Sequence, residues 1–250
     1  MVLLARAPEP AFSTSLSLDA MNERPESVFV VVPAFNEVGV IQAVIGPLVG
    51  MGYRVVVVDD GSTDGTWNLV KQWPVHKARH PINLGQGAAL DTGTQLALAA
   101  GAEIIVHFDA DGQHQAEDIA ALVEPLCRGQ SDVALGSRFL RATDAQQVPW
   151  SRRVLLRCAV VVNGLLTGIW LSDAHNGLRA FTRAAAEKIR LKENRQAHAS
   201  EIMIQMREHR LRYTERPTTI GYPPYARAKG QSGWNAISIV MDLALRKIFG

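Results

Sequence analysis

The apolar pattern of the chain changes at Val28. "VFVVVPAF" (28–35) is a short, continuously apolar, β-branched run, as expected of a strand covered on both faces. A helix is expected over about Glu37 to Val49. "YRVVVVDDG" (53–61) reads as a second buried strand, and "TDGTWNLVKQW" (63–73) opens a helix with Asp64 as its cap. "VHKARHP" (75–81) is a weaker third strand. "LGQGAALDTGTQLALAAG" (84–101) reads as a helix of small residues closed by Gly101. "AEIIVHFDAD" (102–111) is the fourth strand, "AEDIAALVEPLCRG" (116–129) a helix and "SDVALGSRF" (131–139) the fifth strand. Strands alternating with helices predict an α/β fold, a mostly parallel sheet flanked by helices on both faces.

Beyond Arg141 the pattern loosens. Residues 149–171 read as a helix, "SDAHNGLRAFTR" (172–183) as a loop with a short strand, and "HASEIMIQMREH" (198–209) as a helix. "LRYTERPTTI" (211–220) is extended, "GYPPYARAKGQSG" (221–233) is a loop, and residues 234–250 form a last helix. Residues 1–27 are rich in Ser, Pro and Glu and read as a poorly ordered arm, with an apolar start too short for a secretory leader. The division is therefore an arm (1–27), a domain (28–233) and a terminal helix (234–250).

In parallel sheets ligands sit beyond the carboxyl ends of the strands, and the polar clusters fall there. "PAFNE" follows strand one, "DDGSTDGT" strand two, "DADGQH" strand four, and "GSRF" closes strand five. Asp109 and Asp111 are separated by one residue, which in an extended chain puts both carboxylates on one face. Two such carboxylates repel unless a cation lies between them. Hard divalent ions such as Mg2+ or Mn2+ take oxygen ligands and keep substrate phosphates in their shell; Gln113 offers one more oxygen. Asp59 and Asp60 could accept a hydrogen bond from a base or a ribose, or could belong to the acidic pocket of a receiver-like regulatory module.

Composition limits the alternatives. With 250 residues, 47% of them hydrophobic, the chain can bury a real core, and a net charge of +2 argues against a general nucleic-acid binder. Cys127 and Cys158, the two cysteines, provide neither a zinc site nor a disulfide framework, and fit a reducing cytoplasm.

Taken in order, "VVPAFNE", "VVDDGSTDGT", "NLGQGAALDTG" and "DADGQH" resemble the family 2 glycosyltransferases, with "DADGQH", "GSRF" and "RAKGQS" resembling the subgroup that glycosylates dolichyl and other polyprenyl phosphates. The resemblance implies a GT-A fold, a Rossmann-like sheet with acceptor-side helices toward the C-terminus, and an inverting, metal-dependent enzyme. It assigns Pro33, Phe35, Asn36 and Glu37 to the nucleobase pocket, with Asp60 on the base and Asp59 nearby. Asn83, Gly85 and Ala89 would line the nucleotide pocket of a UDP- or GDP-sugar. Asp109, Asp111 and Gln113 would hold Mg2+ or Mn2+ on the donor diphosphate, and Arg138 would meet the acceptor phosphate. Arg227, Lys229 and Ser232 would grip phosphate from a loop.

"SDAHNGLRAF" departs from the synthase pattern and leaves the acceptor open. A lipid phosphate, with a second pKa of about 6, attacks without help, whereas a sugar hydroxyl needs a general base. Asp173, His175 and Glu201 are the residues weighed for that task, against structural roles for each. Arg138, Arg141, Arg152, Arg153 and Arg157 face a single nearby acid, Asp144. The terminal helix carries one narrow polar stripe, Asn235, Ser238, Asp242 and Arg246. Both features suit a cytoplasmic protein lying on the inner face of a membrane. The helix equally suits a sheet cover or a dimer contact, so a homo-oligomer or a small membrane partner is compatible with the sequence.

Overall fold

In this computed structural model, residues 27–140, 160–161, 164–165, 167–173, 176–194 and 197–221 are described. Residues 1–26 of the expected arm, most of the helix at 149–171, His175, the loop carrying Arg227, Lys229 and Ser232, and the terminal helix lie outside them.

The elements are β1 (Val28–Ala34), α1 (Ile41–Gly50), β2 (Arg54–Asp59), α2 (Thr66–Val70), β3 (His76–Arg79), α3 (Gln86–Ala99) and β4 (Ile104–His107). They continue as α4 (Asp118–Cys127), β5 (Val133–Ser137), β6 (Arg179–Thr182), α5 (Arg183–Lys188), α6 (His198–Glu208) and β7 (Tyr213–Pro217). The seven strands form one sheet in the order β3-β2-β1-β4-β6-β5-β7. β1, β2, β3 and β4 pair in parallel, as do β5 and β7. β6 runs antiparallel to both β4 and β5 and lies between them. The short strand expected in "SDAHNGLRAFTR" is thus a central strand.

The sheet explains the strength of the sequence signal. All seven residues of β1 are buried, because the strand is paired on both edges and covered on both faces. β3 is mostly exposed and sits at one edge, where polar residues protect unpaired backbone groups. Apolar side chains alternate between two cores. Val28, Val30 and Val32 pack under α1 and α4, whereas Phe29 and Val31 pack with residues of α3, α5 and α6.

Two boundaries differ from expectation. α1 starts at Ile41 rather than Glu37, because residues 37–40 form a turn in which the Val40 and Ile41 amides donate to the Glu37 carbonyl. β4 ends at His107, so Asp109 and Asp111 lie past the strand. The alternation nevertheless persists for a few residues. Phe108 donates its amide to the Val31 carbonyl, and Phe108 and Ala110 both enter the α4-side core, so Asp109 points the opposite way.

Candidate active site

The loops after β1 and β2 are tied together. The Asn36 side-chain oxygen accepts from the Thr63 amide at 2.9 Å, and the Asn36 amide donates to Ser62 Oγ at 2.9 Å. The Glu37 amide donates to Thr66 Oγ1, and the Val38 amide to Asp64. Asp64 also accepts from the Thr66 amide and hydroxyl, so it organises the entry to α2 from just outside the helix. Asn36 has φ 54, a left-handed conformation that asparagine tolerates, and Phe35 beside it is 41% exposed. A strand end presenting an exposed aromatic ring beside Asn36 offers a stacking surface for a flat ligand.

Asp59 and Asp60 do not present carboxylates to this surface. Asp60 accepts from the Leu84 and Gly85 amides at 2.9 and 2.7 Å and pairs with His80 Nδ1 at 2.7 Å. It is a knot between β2 and the "NLGQG" loop. Asp59 is 0% exposed. Arg79 Nε lies 2.9 Å from its Oδ2, a charge contact whose angle leaves both Asp59 oxygens without a hydrogen bond. Ala89 is 0% exposed and packs in the α3-side core. Gly85 sits just before α3 with φ 107, a conformation other residues rarely adopt, while Asn83 is exposed beside it.

The "DADGQH" loop lies next to the start of α3. Asp109 Oδ1 accepts from Gln86 Nε2 at 2.8 Å, and its Oδ2 lies 3.2 Å from His114 Nε2. Asp111 Oδ1 accepts from the Gln113 amide, closing a turn at Gly112. A Cβ on Gly177 would fall 2.0 Å from Asp109 Oδ2, so only glycine lets this carboxylate come so close to the chain entering β6. The Asp109 side chain is half-buried and still reached by solvent. Burial alone would raise its carboxyl pKa. The His114 hydrogen bond and the charges of His114, Arg179 and His198 outweigh that and hold it below the usual range. The donor set fits a hard divalent cation, with two carboxylates and an amide residue within five positions and Asp111 and Gln113 half-exposed. Among the described residues no three His, Cys, Asp or Glu side chains converge. That is compatible with an ion that completes its shell with substrate phosphates and water.

Across β6 lies a second polar group. Asp173 Oδ2 receives Arg138 Nε at 2.5 Å and the Arg138 amide at 3.2 Å, and both side chains are buried. Glu215 of β7 accepts from the Ser172 amide and hydroxyl. Asp173, weighed as a base, is thus engaged by a guanidinium. Glu201, weighed for the same role, accepts from the Lys192 and Glu193 amides at 2.9–3.0 Å. It fixes the loop before α6.

Gln86, Gly177 and Arg179 belong to this neighbourhood although sequence reasoning singled out none of them. Gln86 and Arg179 lay inside quoted motifs, but nothing local distinguishes them. Their importance comes from contacts or proximity to Asp109 across 23 and 70 positions of chain.

The chain matches the family model described as glycosyl transferase family 2 over residues 29–190. An uncharacterised protein of Methanocaldococcus jannaschii is 37% identical over 90% of this chain and 93% of its own. The UDP-N-acetylglucosamine–dolichyl-phosphate N-acetylglucosaminyltransferase of Methanococcus voltae is 29% identical over 88% of this chain and 96% of its own. The polyprenol monophosphomannose synthase of Mycolicibacterium smegmatis is 32% identical, covering 69% and 68% of the two chains. Among solved structures, glucosyl-3-phosphoglycerate synthase of Mycobacterium tuberculosis superposes with a TM-score of 0.60 at 21% identity, over 94% of this chain and 85% of that one. The seven-stranded mixed sheet with its polar carboxyl edge is the GT-A fold, and the protein belongs to glycosyl transferase family 2.

Proposed function

We propose that the enzyme moves a sugar, with inversion, from a nucleotide-sugar to the phosphate of a lipid, a polyprenyl phosphate, at the inner face of a membrane. The observation that carries the choice of acceptor is the engagement of Asp173 by Arg138, together with that of Glu201 by the 192–193 amides. A hydroxyl nucleophile must lose its proton to a base, and each of these carboxylates already has a partner. A phosphate dianion needs no base. The names of the Methanococcus and Mycolicibacterium relatives, both lipid-phosphate glycosyltransferases, point the same way.

In this reading Pro33, Phe35, Asn36 and Glu37 form the base pocket, shaped from behind by Asp59 and Asp60. Asn83 and Gly85 border the nucleotide. Asp109, Asp111 and Gln113 hold a divalent cation, Mg2+ or Mn2+, which supplies electrostatic stabilisation to the departing diphosphate. Neighbouring solved structures are described with Mn2+ and UDP-glucose, which supports the ion and the donor class. Gln86 and His114 hold the Asp109 carboxylate in place. Arg138, fixed by Asp173, contributes positive charge on the acceptor side, and Arg227, Lys229 and Ser232 close over the phosphates. An acceptor oxygen forms the new bond to the anomeric carbon as the bond to the nucleotide diphosphate breaks.

The test is a screen of UDP- and GDP-sugars with polyprenyl phosphate or the matching alcohol, in Mn2+ or in EDTA. Transfer to the phosphate alone, abolished by EDTA, is the expected result; full activity in EDTA removes the metal, and transfer to the alcohol removes the acceptor. Asp111→Ala should lose transfer and weaken Mn2+ binding at least tenfold in a direct titration, with the fold intact by circular dichroism. Asp173→Asn should retain appreciable turnover. Loss of chemistry with intact binding in that variant would instead favour a sugar hydroxyl as acceptor.

A further inference from the structure

Arg179 is the first residue of β6. In the sheet register it stands opposite His107 of β4 and Leu135 of β5. It shares a face with Phe181, which packs in the α3-side core and against the His107 ring. That is the face toward which Asp109 points. Arg179 is 5% exposed, and its guanidinium has no protein hydrogen-bond or ion-pair partner among the described residues, although none of its nitrogens is wholly sealed from solvent. Asp109 and Asp173 both act on its charge electrostatically, but each directs its oxygens elsewhere: Asp109 to Gln86 and His114, Asp173 to Arg138.

A guanidinium carries five N–H donors in a planar fork and stays charged in proteins. Withdrawing it from bulk water with those donors unused is strongly unfavourable. Such an arrangement persists where function selects it against stability, and the ligand that satisfies it is an anion with several oxygens. In the proposed reaction two substrate anions come near Asp109. The donor diphosphate already faces the cation of Asp109 and Asp111. The acceptor phosphate was matched in sequence to Arg138, but Arg138 directs its Nε and its amide to Asp173.

We propose that Arg179 is a receptor for the acceptor phosphate. It stands at the seam where β6 joins the donor-binding strands to β5 and β7. The assignment rests on the lipid-phosphate reading above. Its fork takes two non-bridging oxygens in parallel hydrogen bonds. The third oxygen bonds to the anomeric carbon as the sugar–diphosphate bond breaks, the electron pair leaving with the nucleotide and no proton moving.

The experiment compares wild type with Arg179→Gln and Arg179→Lys. Calorimetry measures the binding of farnesyl phosphate, of farnesol and of UDP with Mn2+, and melting is followed with and without inorganic phosphate. Arg179→Gln is expected to weaken farnesyl phosphate binding by about tenfold or more and to leave UDP–Mn2+ binding within about twofold. It should also abolish the rise in melting temperature produced by inorganic phosphate. Arg179→Lys falls between. Without ligand, Arg179→Gln should melt at or above the wild-type temperature, because a largely buried charge without a protein partner has been removed.

A tenfold loss of UDP–Mn2+ affinity with farnesyl phosphate binding unchanged would overturn the proposal and make Arg179 a donor ligand. Unchanged affinities for both, or a lower melting temperature without ligand, would overturn it in favour of a structural role. If wild type transfers to farnesyl phosphate and Arg179→Gln does so undiminished, the arginine assignment fails while the acceptor class stands. If wild type neither binds nor glycosylates farnesyl phosphate, the acceptor class fails and takes the assignment with it.

Discussion

His107 is enclosed between Thr94, 3.0 Å from its Nε2, and the Phe181 ring. Burial, with the charges of Arg179 and His198, lowers its pKa from 6.5 to about 3, against an opposing pull from Asp109. The folded protein therefore keeps this ring neutral while the unfolded chain takes up a proton below about 6.5. The stability it contributes is present above pH 6.5 and is lost as pH falls toward 3, by about 1.4 kcal/mol per pH unit for one proton. Urea unfolding between pH 7.5 and 5 should show this slope, and His107→Gln should flatten it. An unchanged slope in the variant would place the acid sensitivity elsewhere. Single residues were the least legible part of the sequence. "DDG" announces carboxylates at a strand end, but cannot say that Asp60 is consumed by the Leu84 and Gly85 amides. Glu201 is likewise explained by amides at 192 and 193 that no periodicity reveals.

Elements were legible in proportion to their burial. β1, β2, β4 and β5 are apolar because they are covered, and their runs stand out in the sequence. β3, at an edge, gives a weak signal. β6 gives hardly more although it is central, because it is four residues long and begins with a charged residue. The insertion of β6 between β4 and β5 is invisible in pattern alone, since it depends on pairings 72 to 78 positions apart. Its approach also explains Gly177. A methyl group there must displace the Asp109 carboxylate without disturbing either core. Gly177→Ala should therefore fold normally by circular dichroism and lose Mn2+ affinity by about tenfold or more. Unchanged affinity would mean that the carboxylate has room to retreat.

The whole molecule is an asymmetric sheet, with donor-side strands β3, β2, β1 and β4 on one flank and β5 and β7 on the other. No helix among the described residues is long and apolar enough to cross a membrane. Membrane contact, as proposed, falls to the terminal segment. Removal of residues 234–250 should weaken co-sedimentation with anionic vesicles several-fold, and undiminished binding would remove that role. The same flank carries a further consequence. The segment after β7 is fastened to the "DADGQH" loop: the Gly221 amide donates to the Gln113 carbonyl at 2.7 Å, the Thr219 amide to Asp118 at 2.7 Å, and His114 bridges to Ile220. Lys229 follows Gly221 by eight positions, and eight residues of chain span at most about 28 Å. If Lys229 grips a donor phosphate, as proposed, the length of that tether sets the concentration at which its charge is presented, and insertions after Gly221 should weaken donor binding by dilution.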